Sequence, residues 1–200
     1  MTSSTLRDRL REATTREILD AAETVLAEQG VAAASMASIA QRAGVSVGTL
    51  YNYFKDKDQL LATILTVRRQ EFATHLDGVA KDQADAPFEV HLEVFIRTVF
   101  QLFNQYRKFL RIVIEHAGDD KKKKLWLVDR MLPIVEKGLA SGRLATEGAA
   151  VFPALFAGAL SGVLAQRLDR PESSLARESD VVVAFLLGRA VGAGTTLPLR

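Results

Sequence analysis

The stretch from Ser35 to Phe54 constrains the fold more than any other part of the chain, because it holds two short helical segments about a single glycine. Ser35 is placed to cap a helix over Met36–Ala43 with Met36, Ile39 and Ala40 facing inward. Gly44 breaks that helix, and Ser46 caps a second one over Val47–Phe54. Val45, Leu50 and Phe54 can point back toward Ile39, and Ala40 is small enough to let the two helices cross closely. This is helix-turn-helix geometry, whose second helix can enter the major groove of DNA. The outward face then carries Ser46, Val47, Gly48, Thr49, Tyr51, Asn52 and Tyr53. A glycine inside a helix costs about 1 kcal/mol relative to alanine. Its presence at position 48 points to close approach by another body, for which a phosphate backbone is a good candidate. The free N–H groups at the start of this helix also attract phosphate. Lys55 and Lys57 follow where a second row of phosphates would lie.

Helical periodicity dominates the rest of the chain, and no run of alternating β-branched residues bounded by turn signals is present. The expected fold is all-α: a three-helix DNA-binding domain with a helix-turn-helix, followed by a helical bundle for ligand binding and dimerisation, about nine helices in total. Residues 1–12 read as a mobile or partly helical arm. Thr14 and Glu17 stand at capping-box spacing and open the first helix, whose stripe is Ile18, Leu19, Ala22, Val25 and Leu26 and which Gly30 ends. Asp58 begins a fourth helix through Leu60, Leu61, Ile64, Leu65 and Val67 to about Ala80. Later helices are expected near 87–105, 107–117, 121–141, 147–168 and 175–191, with Pro133 and Pro153 kinking two of them or marking their early turns. The domains expected are 1–57, arm and DNA-binding domain; 58–80, connecting helix; and 81–200, effector-binding and dimerisation domain.

Composition narrows the function. The chain has no cysteine, which excludes disulfides, thiolate metal sites and cysteine nucleophiles. With three histidines, no Glu-x-x-His pair and no glycine-rich phosphate loop, the inventory for an enzyme or a metal site is thin, and no cofactor is expected. The net charge of +2 is small, so DNA binding must rest on where Lys and Arg are placed rather than on bulk charge. No apolar run reaches the roughly 18 residues of a membrane span. Met1 to Arg11 lacks the apolar core of a signal peptide, so a cytoplasmic protein is expected. Lys121–Lys124 reads as the solvated start of a helix, and Asp119-Asp120 as solvated acids.

The segment resembles the N-terminal domain of the tetracycline-repressor (TetR) family. The resemblance runs through Thr15–Ala22, Gly30, Ser35–Ala40, Ala43–Ser46 and Gly48–Leu61, and is close over about residues 14–65. It implies an all-helical homodimer that represses transcription until an effector binds. It also implies that Ser46, Gly48, Thr49, Tyr51, Asn52 and Tyr53 meet DNA, that Lys57 holds a phosphate, and that Ser35 caps the second helix beside the DNA backbone. Family members often carry Lys where this chain has Val47; a valine cannot hold a phosphate, but it can touch a thymine methyl. Asn52 has the chemistry to read adenine, to bind a phosphate or to stay solvated. Arg7, Arg9 and Arg11 could reach a neighbouring minor groove or remain a solvated tail.

Beyond Pro87 the sequence is apolar on several faces, as a bundle around a ligand cavity requires. His91, Phe95, Phe103, Tyr106, His116 and Trp126 are the candidates to line it, and the sparse polar set suggests a hydrophobic effector such as an acyl chain or an aromatic compound. The last two helices alternate small and bulky apolar residues, among them Ala154, Gly158, Gly162, Leu155, Phe156, Val182 and Phe185. Such surfaces suit a two-fold four-helix interface between subunits, and the resemblance implies dimerisation through them. An activator, or a regulator without a ligand, fits the same features.

Overall fold

In the computed structural model, residues 5–116, 129–169 and 175–188 are described, and every regular element among them is helical. The helices are α1 (Leu6–Gln29), α2 (Met36–Ala43), α3 (Val47–Tyr53), α4 (Lys57–Asp82), α5 (Phe88–Gln105), α6 (Arg107–His116), α7 (Leu132–Ala140), α8 (Thr146–Asp169) and α9 (Leu175–Leu186). They fall into two compact units. The first holds α1–α3, α4 as far as Gln70, and α6; the second holds α4 from Glu71, α5 and α7–α9.

The first unit is built on α1. Its buried stripe is Ile18, Leu19, Ala22, Val25 and Leu26, as the apolar spacing demands. The helix begins earlier than expected. Thr5 caps it, with the Thr5 side chain accepting from the Asp8 N–H and the Asp8 carboxylate accepting from the Thr5 N–H. The Thr14 and Thr15 hydroxyls instead donate back to the Leu10 and Arg11 carbonyls, at 3.0 and 2.8 Å. Residues 6–12 are good helix formers lacking an apolar face, so propensity extends the helix ahead of the stripe that buries it. Leu60, Leu61, Ile64 and Leu65 of α4 complete this core. On α6, Lys108 donates to the Thr24 hydroxyl at 3.0 Å and Arg111 to the Ala27 carbonyl at 3.3 Å, which fixes α6 along α1.

The second unit is organised by α5, which buries Phe88, His91, Leu92, Phe95, Ile96, Val99, Phe100, Leu102 and Phe103. Phe152, Phe156 and Leu160 recur every fourth residue on α8 and form its inward stripe. Phe88 meets Phe152 and Phe95 meets Phe156, with ring centroids 6.4 and 5.8 Å apart. On α7, Gly138 permits a close approach: a Cβ there would lie 2.5 Å from Leu144 Cδ1 and 3.0 Å from Phe88 Cε2. Arg97 ties α5 to α9 through Asp180 at 2.7 Å. The helix expected over 121–141 is described only from residue 129, where a 3₁₀ turn, Asp129–Met131, leads into α7. Pro133 therefore sits in a first turn and kinks nothing, while Pro153 lies inside the continuous α8. On α9 the helix ends at Leu186, short of the expected 191, and Gly188 follows at φ +62°. No helix among the described residues is long and apolar enough to cross a membrane.

Candidate nucleic-acid interface

The α2–α3 pair forms from local chemistry. Ser35 Oγ accepts from the Ser38 N–H at 3.1 Å, and the Ser38 hydroxyl returns a bond to Ser35, so both orphan donors at this helix start are satisfied. At the turn Gly44 adopts φ +69°, a left-handed conformation that side chains disfavour, and its N–H bonds the Ala40 and Gln41 carbonyls. The Val45 N–H closes the motif on Ala40 O at 3.0 Å. Ser46 then caps α3 by accepting from the Thr49 N–H at 3.0 Å, with the Thr49 hydroxyl 2.8 Å away.

Burial separates the two faces of α3. Leu50 is fully buried, and Ile39, Ala40 and Phe54 lie with it in the core. Ser46, Val47, Gly48, Tyr51 and Asn52 are exposed, and Thr49 and Tyr53 half-buried. Val47 and Tyr51 are large side chains left 42% and 51% exposed on a seven-residue helix. This face is thus a continuous strip of hydroxyl, amide and aromatic groups beside the exposed Ser35. Arg11, carried by the early turns of α1, places its guanidinium 5.2 Å from the Tyr53 ring centroid. The sequence placed Arg11 in an arm, so it hid this contact; the Thr5–Asp8 box was the available signal.

Lys57, which the resemblance sets against a phosphate, is engaged within the protein. Its ammonium donates to the carbonyls of Val31, Ala32 and Ala34, at 2.8, 3.2 and 2.9 Å. An ammonium has three donors, and all three are directed to these carbonyls. Lys57 clamps the α1–α2 loop to the start of α4. Lys57→Met should lower stability by about 1–3 kcal/mol, the cost of leaving part-buried carbonyls unpaired. The log–log salt slope of DNA binding should stay unchanged, whereas a lost phosphate contact lowers it by about 0.9; denaturant titration and binding at several salt concentrations separate the two.

The candidate effector residues are scattered. His91 and Phe95 lie one turn apart on α5, and both are buried. Phe103 packs against Phe72 and Phe100, at 6.0 and 6.1 Å. Tyr106 is also buried, but in the first unit. His116 ends α6 and its side chain lies outside what is described, as do Trp126 and Lys121–Lys124 altogether. Both ring nitrogens of His91 are buried without a hydrogen-bond partner, and burial, followed by the Lys137 charge, pushes its pKa below the ordinary value. Among the described residues no group of His, Asp and Glu is arranged to hold a metal ion.

Comparison with known proteins gives these features a setting. Residues 18–64 match the model described as "Bacterial regulatory proteins, tetR family". The HTH-type transcriptional regulator AcrR of Shigella flexneri is 29% identical over 192 residues, 87% of each chain. Other curated regulators are 33 to 41% identical over 78 residues, and the chain spans about 40% of their length. Among solved structures, SmeT, the repressor of the Stenotrophomonas maltophilia multidrug efflux pump SmeDEF, aligns with a TM-score of 0.74 and 26% identity over 93% of this chain and 94% of SmeT. FadR from Bacillus subtilis in complex with stearoyl-CoA aligns with a TM-score of 0.69 and 21% identity, over 88% of this chain and 98% of FadR.

Proposed function

The chain belongs to the TetR family of bacterial transcriptional regulators, and from that premise we propose that it is a homodimeric repressor, released from a near-palindromic operator by a small hydrophobic effector. The observation that carries the DNA-reading part is α3 itself: capped at Ser46, anchored by Leu50, and presenting Val47 and Tyr51 to solvent. In this reading Ser35, Ser46, Val47, Gly48, Thr49, Tyr51, Asn52 and Tyr53 contact DNA, with Val47 set against a thymine methyl. Arg11 joins them through its position over Tyr53, and Lys57 leaves the set.

The dimer forms through α8 and α9. Val151 and Leu155 on α8 and Phe185 on α9 are 51, 61 and 74% exposed, while Phe152, Phe156 and Leu160 of α8 and Val182 and Val183 of α9 are buried. Apolar side chains exposed in this way on two successive helices suit a two-fold interface. Two α3 helices in such a dimer stand roughly 34–36 Å apart, one turn of DNA. The effector class is supported by the phenylalanine-rich interior of the second unit and by the acyl ligand of FadR. A ligand that favours a state with another α3 spacing weakens both half-sites together.

Selection of bound sites from random duplexes by the purified protein tests the core of this reading. An inverted repeat, held at physiological salt, is the expected result. Weak binding with no sequence preference, collapsing steeply with salt, would defeat it.

A further inference from the structure

His91 is 1% exposed and neither ring nitrogen has a partner. Buried polar atoms nearly always find a partner, so an imidazole with both nitrogens orphaned marks a place where one is missing. Its neighbours in sequence fix its setting. Positions 88, 91 and 95 share one face of α5. Phe88 and Phe95 on that face contact Phe152 and Phe156 on α8. His91 thus stands midway along a seam of four phenylalanine rings.

A positive charge borders the start of α5, where the His91 N–H bonds the Pro87 carbonyl at 3.0 Å. Lys137 on α7 is part-buried, and its ammonium donates to the Gln83 and Ala86 carbonyls at 2.6 and 2.8 Å. Among the described residues these two carbonyls are its hydrogen-bond partners, and no carboxylate pairs with it. Burial first, and the Lys137 charge after it, push the His91 pKa down, which favours the neutral imidazole. A neutral imidazole offers one N–H donor and one acceptor.

We propose that His91 and Lys137 form the polar end of an effector subsite for a hydrophobic carboxylate, whose apolar body lies along the α5–α8 aromatic seam. One carboxylate oxygen accepts from the imidazole and the other from the ammonium, both charge-assisted bonds. A single negative charge matches this ammonium; an alcohol of the same length leaves it without a counter-charge, and an amine is repelled by it. The proposal rests on the effector reading above and names the chemical class that the site selects.

Isothermal titration of the full-length protein with dodecanoate and with dodecan-1-ol, both below micellar concentrations, tests it. The expected result is a preference for dodecanoate of about tenfold or more, the weight of one charged hydrogen bond. His91→Phe, which continues the aromatic seam, and Lys137→Met should each cut dodecanoate affinity about tenfold and leave dodecanol within about twofold. The chain has three histidines, so ring-nitrogen NMR of the wild-type protein gives a readout that needs no variant: the His91 signals should move on adding dodecanoate. Equal dodecanoate binding by wild type and His91→Phe, or bound dodecanoate with unmoved His91 signals, overturns the subsite and leaves a hydrophobic effector standing. Binding of neither compound overturns the subsite and the hydrophobic-effector reading together, without touching DNA binding.

Discussion

Gly48→Glu should abolish specific DNA binding while leaving a folded protein. A Cβ built at Gly48 meets nothing closer than Ser46 Oγ at 3.8 Å, ordinary contact, so the free protein has room for the side chain. Position 48 is the second residue of α3, where a carboxylate interacts favourably with the positive end of the helix dipole. Any residue other than proline in place of glycine also recovers up to about 1 kcal/mol of helix propensity. The unfolding midpoint should therefore hold or rise slightly. In the proposed complex the same carboxylate is set against the phosphate backbone. Affinity should fall by at least about a thousandfold, the lower end of the gap between specific and non-specific binding. Fluorescence anisotropy on the selected operator reads the loss, and analytical ultracentrifugation and thermal melting check the fold. Retained binding would remove α3 from the DNA; a melted or dissociated protein would show that Gly48 is not placed on an open face.

The parts legible in the sequence were those fixed by local chemistry. Ser35, Gly44 and Ser46 mark the ends of α2 and α3 to within a residue, because caps and left-handed turns depend on neighbours a few positions away. Ile39, Ala40, Leu50 and Phe54 were readable as core for the same reason: helical spacing alone decides which face they share. The start of α1 was misread because two Thr-x-x-acid boxes compete, and the apolar stripe that locates the helix begins well after the cap that starts it. The three carbonyls that Lys57 binds were not legible, because they lie 23 to 26 residues back, a tertiary event that no spacing reveals.

The interior of the second unit was legible as composition and not as a site. Helical spacing admits Phe95 and Phe103 as core or as ligand contacts, and their rings meet Phe156 and Phe72. What distinguishes His91 from them is the absence of a partner, which only three-dimensional placement exposes. The association of α6 with α1 is likewise carried by Lys108 and Arg111 reaching back 84 residues, so chain order suggested a different grouping of this helix.

Arg68→Met should strongly destabilise the first unit. The Arg68 guanidinium donates from Nε to Glu23 at 2.6 Å and pairs also with Asp20, locking α4 against α1. Glu23 is 7% exposed, so removing Arg68 leaves a carboxylate buried without its cation. Breaking such a pair from one side costs about 3 kcal/mol; Asp20, 58% exposed, adds little because water screens it. For a chain of this size the midpoint should drop by roughly 6–12 °C. The double variant Glu23→Leu, Arg68→Met should recover most of the loss, since the cost lies in the orphaned charge and not in the absence of the pair. A double-mutant cycle by denaturant titration decides this. Additive losses would mean that Arg68 acts by packing its stem alone, and that α1 and α4 are held by Leu19, Leu26, Leu61 and their apolar neighbours without help from the charges.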